Sequence, residues 1–102
     1  MDRQERLQLL YRQLAQIPPG RVVTYGPLAH LAGLGNAARW VGRQLGQLPA
    51  GTTLPWHRVI NHAGRVSLAP GATRDEQIQR LRSEGIIVCN GRVSLSDFQW
   101  RV

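Results

Sequence analysis

The chain has 102 residues, 42% of them hydrophobic, and this size predicts one domain, residues 1–102, with a small core. No apolar run approaches the roughly 20 residues of a membrane span, and the charged N-terminus excludes a signal peptide, so we expect a cytoplasmic protein without a membrane partner. The lone cysteine, Cys89, excludes an internal disulfide and a multi-cysteine zinc site. Because Cys89 follows the apolar run 86–88, we expect a buried, inert thiol rather than a nucleophile.

The charge distribution is uneven along the chain. The net charge is +7, and all 13 basic residues are arginine. Eight arginines and no carboxylate lie between Glu5 and Asp75. This asymmetry predicts a polyanionic partner, most simply nucleic acid, because arginine makes forked contacts to phosphate and stacks on bases. The alternative is a basic surface that serves solubility alone.

The N-terminal segment has the pattern of a helix followed by a short extended stretch. Apolar residues at helical spacing predict a first helix over residues 6–17, preceded by Asp2 and Glu5 in a spacing like that of a capping box. The sequence Pro-Pro-Gly at 18–20 ends this helix. Residues 21–23 are predicted to be extended.

Two short helices separated by a glycine turn follow. Thr24 is a candidate N-cap for a second helix that runs to about Ala32, and the Gly-Leu-Gly sequence at 33–35 predicts a tight turn. Asn36 is the candidate N-cap of a third helix that ends near Gln47. This arrangement matches a helix-turn-helix, although many helical hairpins with the same pattern bind nothing.

The predicted third helix has one apolar and one polar face. The apolar face comprises Ala38, Val41, Gly42 and Leu45, and the opposite face comprises Asn36, Arg39, Arg43 and Gln47. Outward-facing arginines on the second helix of a helix-turn-helix are typical of a recognition helix.

The C-terminal part predicts small β elements around one further helix. Residues 57–60 predict a short strand or turn, and Thr73–Glu76 form a capping box for a helix that ends at Gly85. The Asn90-Gly91 pair between residues 86–88 and 92–94 predicts a hairpin. The fold class is therefore mainly α with small β elements, a helix-turn-helix with a β wing.

Four stretches together resemble the C-terminal DNA-binding domain of the O6-alkylguanine-DNA alkyltransferases. The stretches are IPPGRVVTYGPLAHLAG at 17–33, NAARWVGRQLG at 36–46, LPWHRVI at 54–60 and the Arg-Ser-Glu-Gly helix end at 82–85. The resemblance covers roughly residues 4–88 and implies a winged helix-turn-helix-like fold that docks in the minor groove. In that family an Ile-Pro-Cys-His-Arg-Val motif supplies the cysteine that accepts the alkyl group. Here Trp56 takes that place, a departure typical of the alkyltransferase-like proteins, which bind alkylated DNA without repairing it.

The resemblance also implies a set of DNA contacts. Tyr25 matches the tyrosine that crowds the target phosphate and helps to rotate the nucleotide out of the stack, and Arg39 matches the arginine that fills the resulting gap. Asn36, Ala37 and Arg43 are expected to contact DNA beside them. The alternatives are that Tyr25 only packs at the helix start and that Arg39 is a generic phosphate contact.

The lesion pocket implied by the resemblance is lined by Tyr25, Pro55, Trp56, Val66 and Ala69. Tryptophan cannot accept an alkyl group, but its broad apolar face could contact a flipped base, and base–aromatic stacking contributes about 1–3 kcal/mol. The alternative is that Trp56 plugs an inactive pocket. Ala69 falls where the family often has a tyrosine, which predicts room for larger alkyl groups.

Three further residues match the catalytic surroundings of the transferases. His57 and Glu84 match the pair that activates the cysteine, and without a thiol we expect both to be structural, tying the strand to the helix that ends near Gly85. Arg58 is expected to anchor loops through carbonyl groups. Trp40 is expected to pack against a neighbouring loop and Trp100 to cover the core.

Three functional hypotheses remain open on the sequence. The first is a monomeric, cofactor-free and metal-free damage sensor that binds double-stranded DNA containing O6-alkylguanine and hands it to nucleotide excision repair proteins, in a bacterial-type cytoplasm at the nucleoid. The second is a glycosylase or nuclease that uses His57 with Glu84. The third is a winged-helix DNA-binding protein or regulator without lesion preference.

Overall fold

The computed structural model describes residues 1–68 and 71–101 and is mostly helical with a small sheet, which confirms the predicted fold class. The strands are β1 (Val23–Thr24) and β2 (Val59–Ile60), and a 3-10 helix covers Trp56–Arg58. The α-helices are α1 (Arg3–Leu14), α2 (Tyr25–Leu31), α3 (Ala38–Leu45), α4 (Ala72–Ser83) and α5 (Leu95–Phe98).

The two strands form a short parallel pair at the centre of the molecule. Val23 lies opposite Val59 and Thr24 lies opposite Ile60. Successive side chains of a strand point to opposite faces, so this pair separates two hydrophobic clusters. The first cluster contains Leu10, Leu14, Ile17, Val23, Leu28, Ala29, Ala37, Val41 and Val59. The second contains Val22, Ile60, Val66, Leu81, Ile86, Val88 and Val93.

Helix α1 begins and ends three residues earlier than the sequence pattern predicts. The Asp2 side chain accepts a hydrogen bond from the Glu5 backbone N–H at 2.8 Å, so Asp2 caps the helix and Glu5 lies in its first turn. The helix ends at Leu14, although Ile17 is buried in the first cluster. Proline at position 18 disfavours the helical conformation of Ile17, so the apolar periodicity continues beyond the helix itself.

Helices α2 and α3 form the predicted helix-turn-helix. The connecting turn uses Gly33 and Gly35 at φ angles of +81° and +66°, values that favour glycine. The predicted N-cap roles are only partly correct. Thr24 occupies the N-cap position of α2 without a side-chain capping bond, whereas α3 begins at Ala38 with Ala37 before it. Asn36 lies outside the helix because the turn after Gly35 continues to Ala37, whose N–H donates to the Gly35 carbonyl.

Helix α4 also begins differently from the prediction. Its N-cap is Gly71, without a side-chain capping bond, and Thr73 lies inside the first turn rather than before it. The predicted Thr73–Glu76 capping box is therefore wrong. The helix ends at Ser83, and Gly85 follows with a φ of +87°, a left-handed conformation that closes helix ends.

The predicted wing is a tight turn with isolated bridges rather than a two-stranded hairpin. Asn90 and Gly91 both have positive φ angles, +52° and +72°, as the predicted turn requires. Cys89 bridges Arg92, and Arg92 also bridges Arg65. Both backbone bonds of Arg92 go to Cys89, whereas its neighbours Gly91 and Val93 bond Val66 and Gly64, so residues 86–94 contain single bridges and no continuous strand pair.

The expectation of a buried Cys89 is wrong, because its thiol side chain is exposed. The segment before it is extended and its side chains alternate. Ile86 and Val88 are buried in the second cluster, whereas Ile87 is 66% exposed. Cys89 follows the same alternation and falls on the outer face.

The C-terminal segment packs beside β1. The Val22 N–H donates to the Phe98 carbonyl at 2.9 Å, and the Trp100 N–H donates to the Val22 carbonyl at 2.7 Å. Trp100 packs on the first hydrophobic cluster, as predicted. Across residues 1–68 and 71–101, every helix is too short or too polar to cross a membrane.

Candidate nucleic-acid interface

Helix α3 exposes two arginines on the face that points away from the core. Val41 is fully buried, while Arg39 and Arg43 are exposed, as predicted for the two faces. Gln44 is an exception to the predicted pattern, because it is only 6% exposed and accepts a hydrogen bond from Arg3 Nη2 at 3.5 Å. The ion pairs found in the described part of the chain leave Arg39 and Arg43 without a carboxylate.

These arginines belong to a surface hollow of about 510 Å³ that we call the basic cleft. It is lined by Arg6, Gly26, His30, Asn36, Ala37, Ala38, Arg39, Trp40 and Arg43. It therefore brings together four of the residues predicted to contact DNA. Its lining contains no carboxylate. Trp40 packs on the first hydrophobic cluster, and the guanidinium carbon of Arg6, on α1, lies 4.3 Å from the centre of its ring. Its packing against a neighbouring loop stays a prediction.

Tyr25 is the first residue of α2 and is half-buried between α3 and the segment 65–68. Its ring lies against Gly42, where an added Cβ would be 3.7 Å from it. Its hydroxyl lies 3.4 Å from Ser67 Oγ, a long contact for a hydrogen bond. The phenol is therefore positioned by packing, with weak polar attachment.

Trp56 lies in the 3-10 helix and is partly exposed, in contrast to its buried neighbours Pro55 and His57. Its ring is perpendicular to the His57 ring, with centroids 6.2 Å apart. The guanidinium carbon of Arg80 lies 5.7 Å from the Trp56 centroid. Part of the indole thus remains accessible at the surface.

Two residues predicted to line the lesion pocket offer little free surface. Pro55 is buried, and Val66 is only 6% exposed because its side chain packs in the second hydrophobic cluster. The structure therefore does not expose them as the lining of a pocket, because core packing covers the Val66 side chain. Ala69 lies outside the described residues.

The three residues predicted to be structural meet in what we call the carboxylate network, centred on Glu84 just after α4. His57 Nε2 lies 2.8 Å from Glu84 Oε2, and Arg58 Nη2 donates to the same oxygen at 2.7 Å. Arg58 Nε donates to both Glu84 oxygens, and the Gly20 N–H donates to Oε1. Arg58 Nη1 donates to the Ile17 carbonyl at 2.7 Å. The network ties the 3-10 helix to α4 and to the chain after α1, as predicted.

This network fixes the protonation of its members. Burial by itself would raise the pKa of Glu84, but hydrogen bonds from Arg58, His57 and the Gly20 backbone outweigh it and lower the pKa to about 2. Burial lowers the pKa of His57 below its ordinary value of 6.5, although the hydrogen bond that His57 donates to Glu84 opposes this effect. At neutral pH, Glu84 is an ionised carboxylate whose two oxygens both accept hydrogen bonds. His57 is a neutral imidazole that donates through Nε2.

His57 therefore has only one ring nitrogen left for other chemistry. Nδ1 is buried and has no hydrogen-bond partner within residues 1–68 and 71–101. A general base needs contact with the proton that it removes and a pKa near the working pH, and Glu84 has neither. The geometry fits an anchoring role better than a catalytic pair.

Gln77 was not singled out by sequence reasoning, yet it holds the 3-10 helix in place. It is 3% exposed on α4, and its Nε2 donates to the His57 carbonyl at 3.2 Å and to the Val59 carbonyl at 3.0 Å. A polar residue at an inward position of a helix was the only signal that could have identified it.

The described residues contain no group of three histidine, cysteine or acidic side chains placed to hold a metal ion. Residues 5–86 match the family described as the 6-O-methylguanine DNA methyltransferase, DNA binding domain.

Named relatives support a narrower grouping. The chain is 45% identical over 93 residues to the DNA base-flipping protein of Vibrio parahaemolyticus, covering 90% of this chain and 92% of that protein. It is 34% identical to Alkyltransferase-like protein 1 of Schizosaccharomyces pombe, with 90% and 91% of the two chains covered.

Solved structures agree with this grouping. The structure of S. pombe Atl1 in complex with damaged DNA containing O6-carboxymethylguanine superimposes with a TM-score of 0.93 at 32% identity, over 100% of both chains. Mycobacterium tuberculosis OGT in complex with DNA gives a TM-score of 0.69 at 30% identity, over 82% of this chain and 50% of that one. On this sequence and structural similarity, the chain belongs to the family of the 6-O-methylguanine DNA methyltransferase DNA-binding domain and, within it, to the alkyltransferase-like proteins.

Proposed function

We propose that the protein is a non-enzymatic sensor of O6-alkylguanine in duplex DNA. It flips the modified nucleotide, holds it without accepting the alkyl group, and marks the site for nucleotide excision repair. The observation that carries this proposal is the partly exposed indole of Trp56, a residue that the motif resemblance aligns with the cysteine of the transferases. An S. pombe relative has been solved with DNA containing O6-carboxymethylguanine, which supports the same class of ligand here.

The absence of transfer follows from the chemistry of the side chains around Trp56. Alkyl transfer needs a thiolate or a comparable nucleophile close to the alkyl carbon. The indole offers an apolar face and one N–H donor instead. The lone thiol of the chain, Cys89, lies on the exposed turn at residues 89–92 and outside the motif that aligns with the active site of the transferases. These side chains therefore support binding of the alkylated base without transfer of the alkyl group.

Recognition combines the cost of extruding a base with the contacts that the extruded base gains. A damaged guanine pairs poorly and is cheaper to extrude, and stacking on an indole contributes about 1–3 kcal/mol. Arg39 would occupy the gap left in the duplex, and Tyr25 would crowd the phosphate of the flipped nucleotide. Asn36, Ala37 and Arg43 would contact DNA around them. The free guanidinium of Arg39 and the fixed ring of Tyr25 suit these two roles.

The experiment is competition binding at fixed salt between a duplex with guanine and the same duplex with O6-methylguanine. The expected result is preferential binding of the lesion, with no methyl group on the protein after the complex is denatured. Trp56→Ala should reduce the preference about tenfold, since one stacking contact is lost. Arg39→Ala should weaken lesion binding, and unchanged binding would rule out the flipping mechanism. A labelled methyl group on the protein would refute a sensor.

The two other hypotheses give different results in the same assay. A glycosylase or nuclease would release a base or cut the strand. Glu84 argues against both, because its two oxygens are already engaged in hydrogen bonds within the protein. A winged-helix regulator would prefer a particular sequence over a lesion. Equal binding to both duplexes would leave only a basic DNA-binding domain.

The remaining parts of the proposal concern partners and context. We propose that the protein acts as a monomer at the bacterial nucleoid, which light scattering with and without DNA and fluorescence microscopy of a tagged chain would test. Nucleotide excision repair as the next step predicts that deletion of that pathway abolishes any protection the protein gives against alkylation. A series of longer O6-alkyl groups tests the roomy pocket predicted from Ala69.

A further inference from the structure

We propose that the basic cleft binds a backbone phosphate of the duplex, and that Arg6 and His30 are phosphate contacts outside the recognition helix. This inference rests on the proposed DNA binding and extends it from α3 to α1 and α2. The occupant is a phosphodiester group of DNA, held beside the contacts that Arg39 and Arg43 provide.

The cleft is assembled from three helices that meet at one hollow. Arg6 comes from α1, His30 from α2, and Arg39 and Arg43 from α3. Its volume of about 510 Å³ lies within the range of about 300–1,000 Å³ that is common for ligand sites. Asn36 adds an exposed amide that can donate to an oxygen. The hollow is thus wide enough for a phosphate with part of its sugar.

The arginines of the cleft have no carboxylate partner among the described residues, so an external anion can compensate their charge. Three guanidinium groups line the hollow, and the ion pairs present in residues 1–68 and 71–101 involve none of them. Neighbouring positive charges repel one another in the free protein, and an anion between them removes that repulsion. Arginine is suited to phosphate because its planar fork donates two parallel hydrogen bonds.

Arg6 is positioned in advance by Trp40. Its guanidinium carbon lies 4.3 Å from the centre of the Trp40 ring, a distance at which the ring face attracts a cation. The stacked face leaves the N–H edges of the guanidinium available to donate hydrogen bonds to a phosphate. Because the side chain is already restricted, less rotamer entropy is lost when DNA binds. Trp40 therefore acts as a support for a phosphate contact rather than as a surface for a base.

The test is the salt dependence of DNA affinity, measured for undamaged and lesion duplexes. Arg6→Gln should reduce affinity for both about tenfold, and should lower the slope of log affinity against log salt by about 0.9. Arg6→Lys should keep the slope, because the charge remains. Arg12→Gln is the matched control, since it removes an exposed arginine of the same helix outside the cleft. An Arg6→Gln slope equal to the wild-type slope, or an equal fall for Arg12→Gln, would overturn the assignment.

His30 has a readout of its own in the same binding assay. Its exposed side chain lines the cleft, and an imidazole N–H can donate a hydrogen bond to a phosphate oxygen. His30→Ala should weaken binding to undamaged and lesion duplexes severalfold and equally, because a phosphate contact does not depend on the base. His62→Ala, which alters an exposed histidine outside the cleft, should leave both affinities unchanged. Wild-type affinity in His30→Ala, or an equal loss in His62→Ala, would exclude His30 from the contact.

The lesion preference separates this inference from the proposed function. The ratio of lesion to undamaged affinity should be the same for Arg6→Gln and the wild-type protein, because a phosphate carries no information about the base. If the wild-type ratio is one but the slope still falls, the cleft stands and lesion sensing fails. If the ratio is high and the slope does not change, lesion sensing stands and the cleft assignment fails.

Discussion

The basic cleft and the carboxylate network use the same residue type in opposite ways. In the network, Arg58 is mostly buried, and it donates hydrogen bonds to both oxygens of Glu84 and to the Ile17 carbonyl. Its charge is therefore compensated within the protein. In the cleft, Arg39 and Arg43 are exposed and have no carboxylate partner among the described residues. The difference shows that an arginine-rich composition says little until the positions of the acids are known.

The two regions also differ in what they contribute to folding. Buried charges are tolerated only when they are paired and hydrogen-bonded, so losing one partner of the network should damage the fold. Exposed charges contribute little to stability and can be removed at small cost. Substitutions in the two regions should therefore separate stability from DNA binding, and the following experiments test that separation.

The largest effect on stability is expected for Glu84→Gln. It leaves Arg58 and His57 without their anionic partner, and breaking a buried pair typically costs about 3–5 kcal/mol. The exposed parts of Glu84 and Arg58 should bring the loss to about 3 kcal/mol. Urea unfolding measures it, and Glu76→Gln is the control, since it breaks the exposed Arg80–Glu76 pair and should cost less than about 1 kcal/mol. Equal losses for the two variants would contradict a special role of the network.

Acidification should weaken the same network without mutation. The pKa of Glu84 is about 2 in the folded protein against an ordinary value of 4.5, so its contribution is complete above pH 4.5 and is lost as the pH falls towards 2. His57 acts in the same direction, because its lowered pKa means that the unfolded chain takes up a proton first as the pH falls below 6.5. Unfolding measured from pH 7.5 to 3 should show this decline, and Glu84→Gln should flatten it below pH 4.5. A wild-type curve that is already flat there would disagree with the shift.

A smaller loss is expected for Gln77→Ala. It removes two hydrogen bonds and leaves the carbonyls of His57 and Val59 unsatisfied in a buried place, a change that costs about 1–3 kcal/mol. Because His57 lies in the 3-10 helix and Val59 directly follows it, lesion preference should also fall in the folded variant, since Trp56 loses its positioning. Gln79→Ala, at an exposed position of the same helix, is the control. Full stability in Gln77→Ala would mean that water replaces the amide.

The smallest effect on stability is expected for Arg39→Ala. Its side chain is exposed and unpaired, so the free energy of unfolding should stay within about 0.5 kcal/mol of wild type. DNA binding should nevertheless weaken. Arg39→Ala should thus reduce binding but not stability, whereas Glu84→Gln should chiefly reduce stability. Thermal unfolding and DNA binding on one preparation measure both properties. A large loss of stability would place Arg39 in the fold instead of the interface.

Element types could be predicted from the sequence more reliably than their caps. The apolar periodicity gave α1 and both faces of α3, because burial of Leu10, Leu14 and Val41 follows the helical repeat. The capping predictions at Asn36 and Thr73 were wrong, since α3 begins after the turn that follows Gly35 and α4 begins directly after Gly71. Backbone connections outside a helix decide its first residue, and a local pattern does not include them.

In the candidate site, too, some features could be predicted from the sequence and others could not. The motif LPWHRVI and the Arg-Ser-Glu-Gly helix end indicated that His57, Arg58 and Glu84 belong together, and the structure brings them into contact. Gln77 and the Arg6–Trp40 pair could not be predicted, because each depends on side chains from distant helices meeting at one point. Cys89 is exposed because side chains alternate between the two faces of the extended segment 86–89. The apolar composition of that segment suggested instead that every side chain in it is buried.

The position of Glu84 has a consequence for the motions of the folded chain. Its carboxylate binds the Gly20 N–H, a group 64 residues earlier in the sequence. The segment after α1 can therefore detach only if a buried ionic centre opens at the same time, which makes local opening there nearly as costly as global unfolding. In amide hydrogen exchange, the Gly20 N–H should belong to the slowest-exchanging group, although it lies in a loop. The helix-turn-helix is held mainly by apolar packing in the first cluster and has no buried ion pair among the described residues, so its amides should exchange faster than that of Gly20.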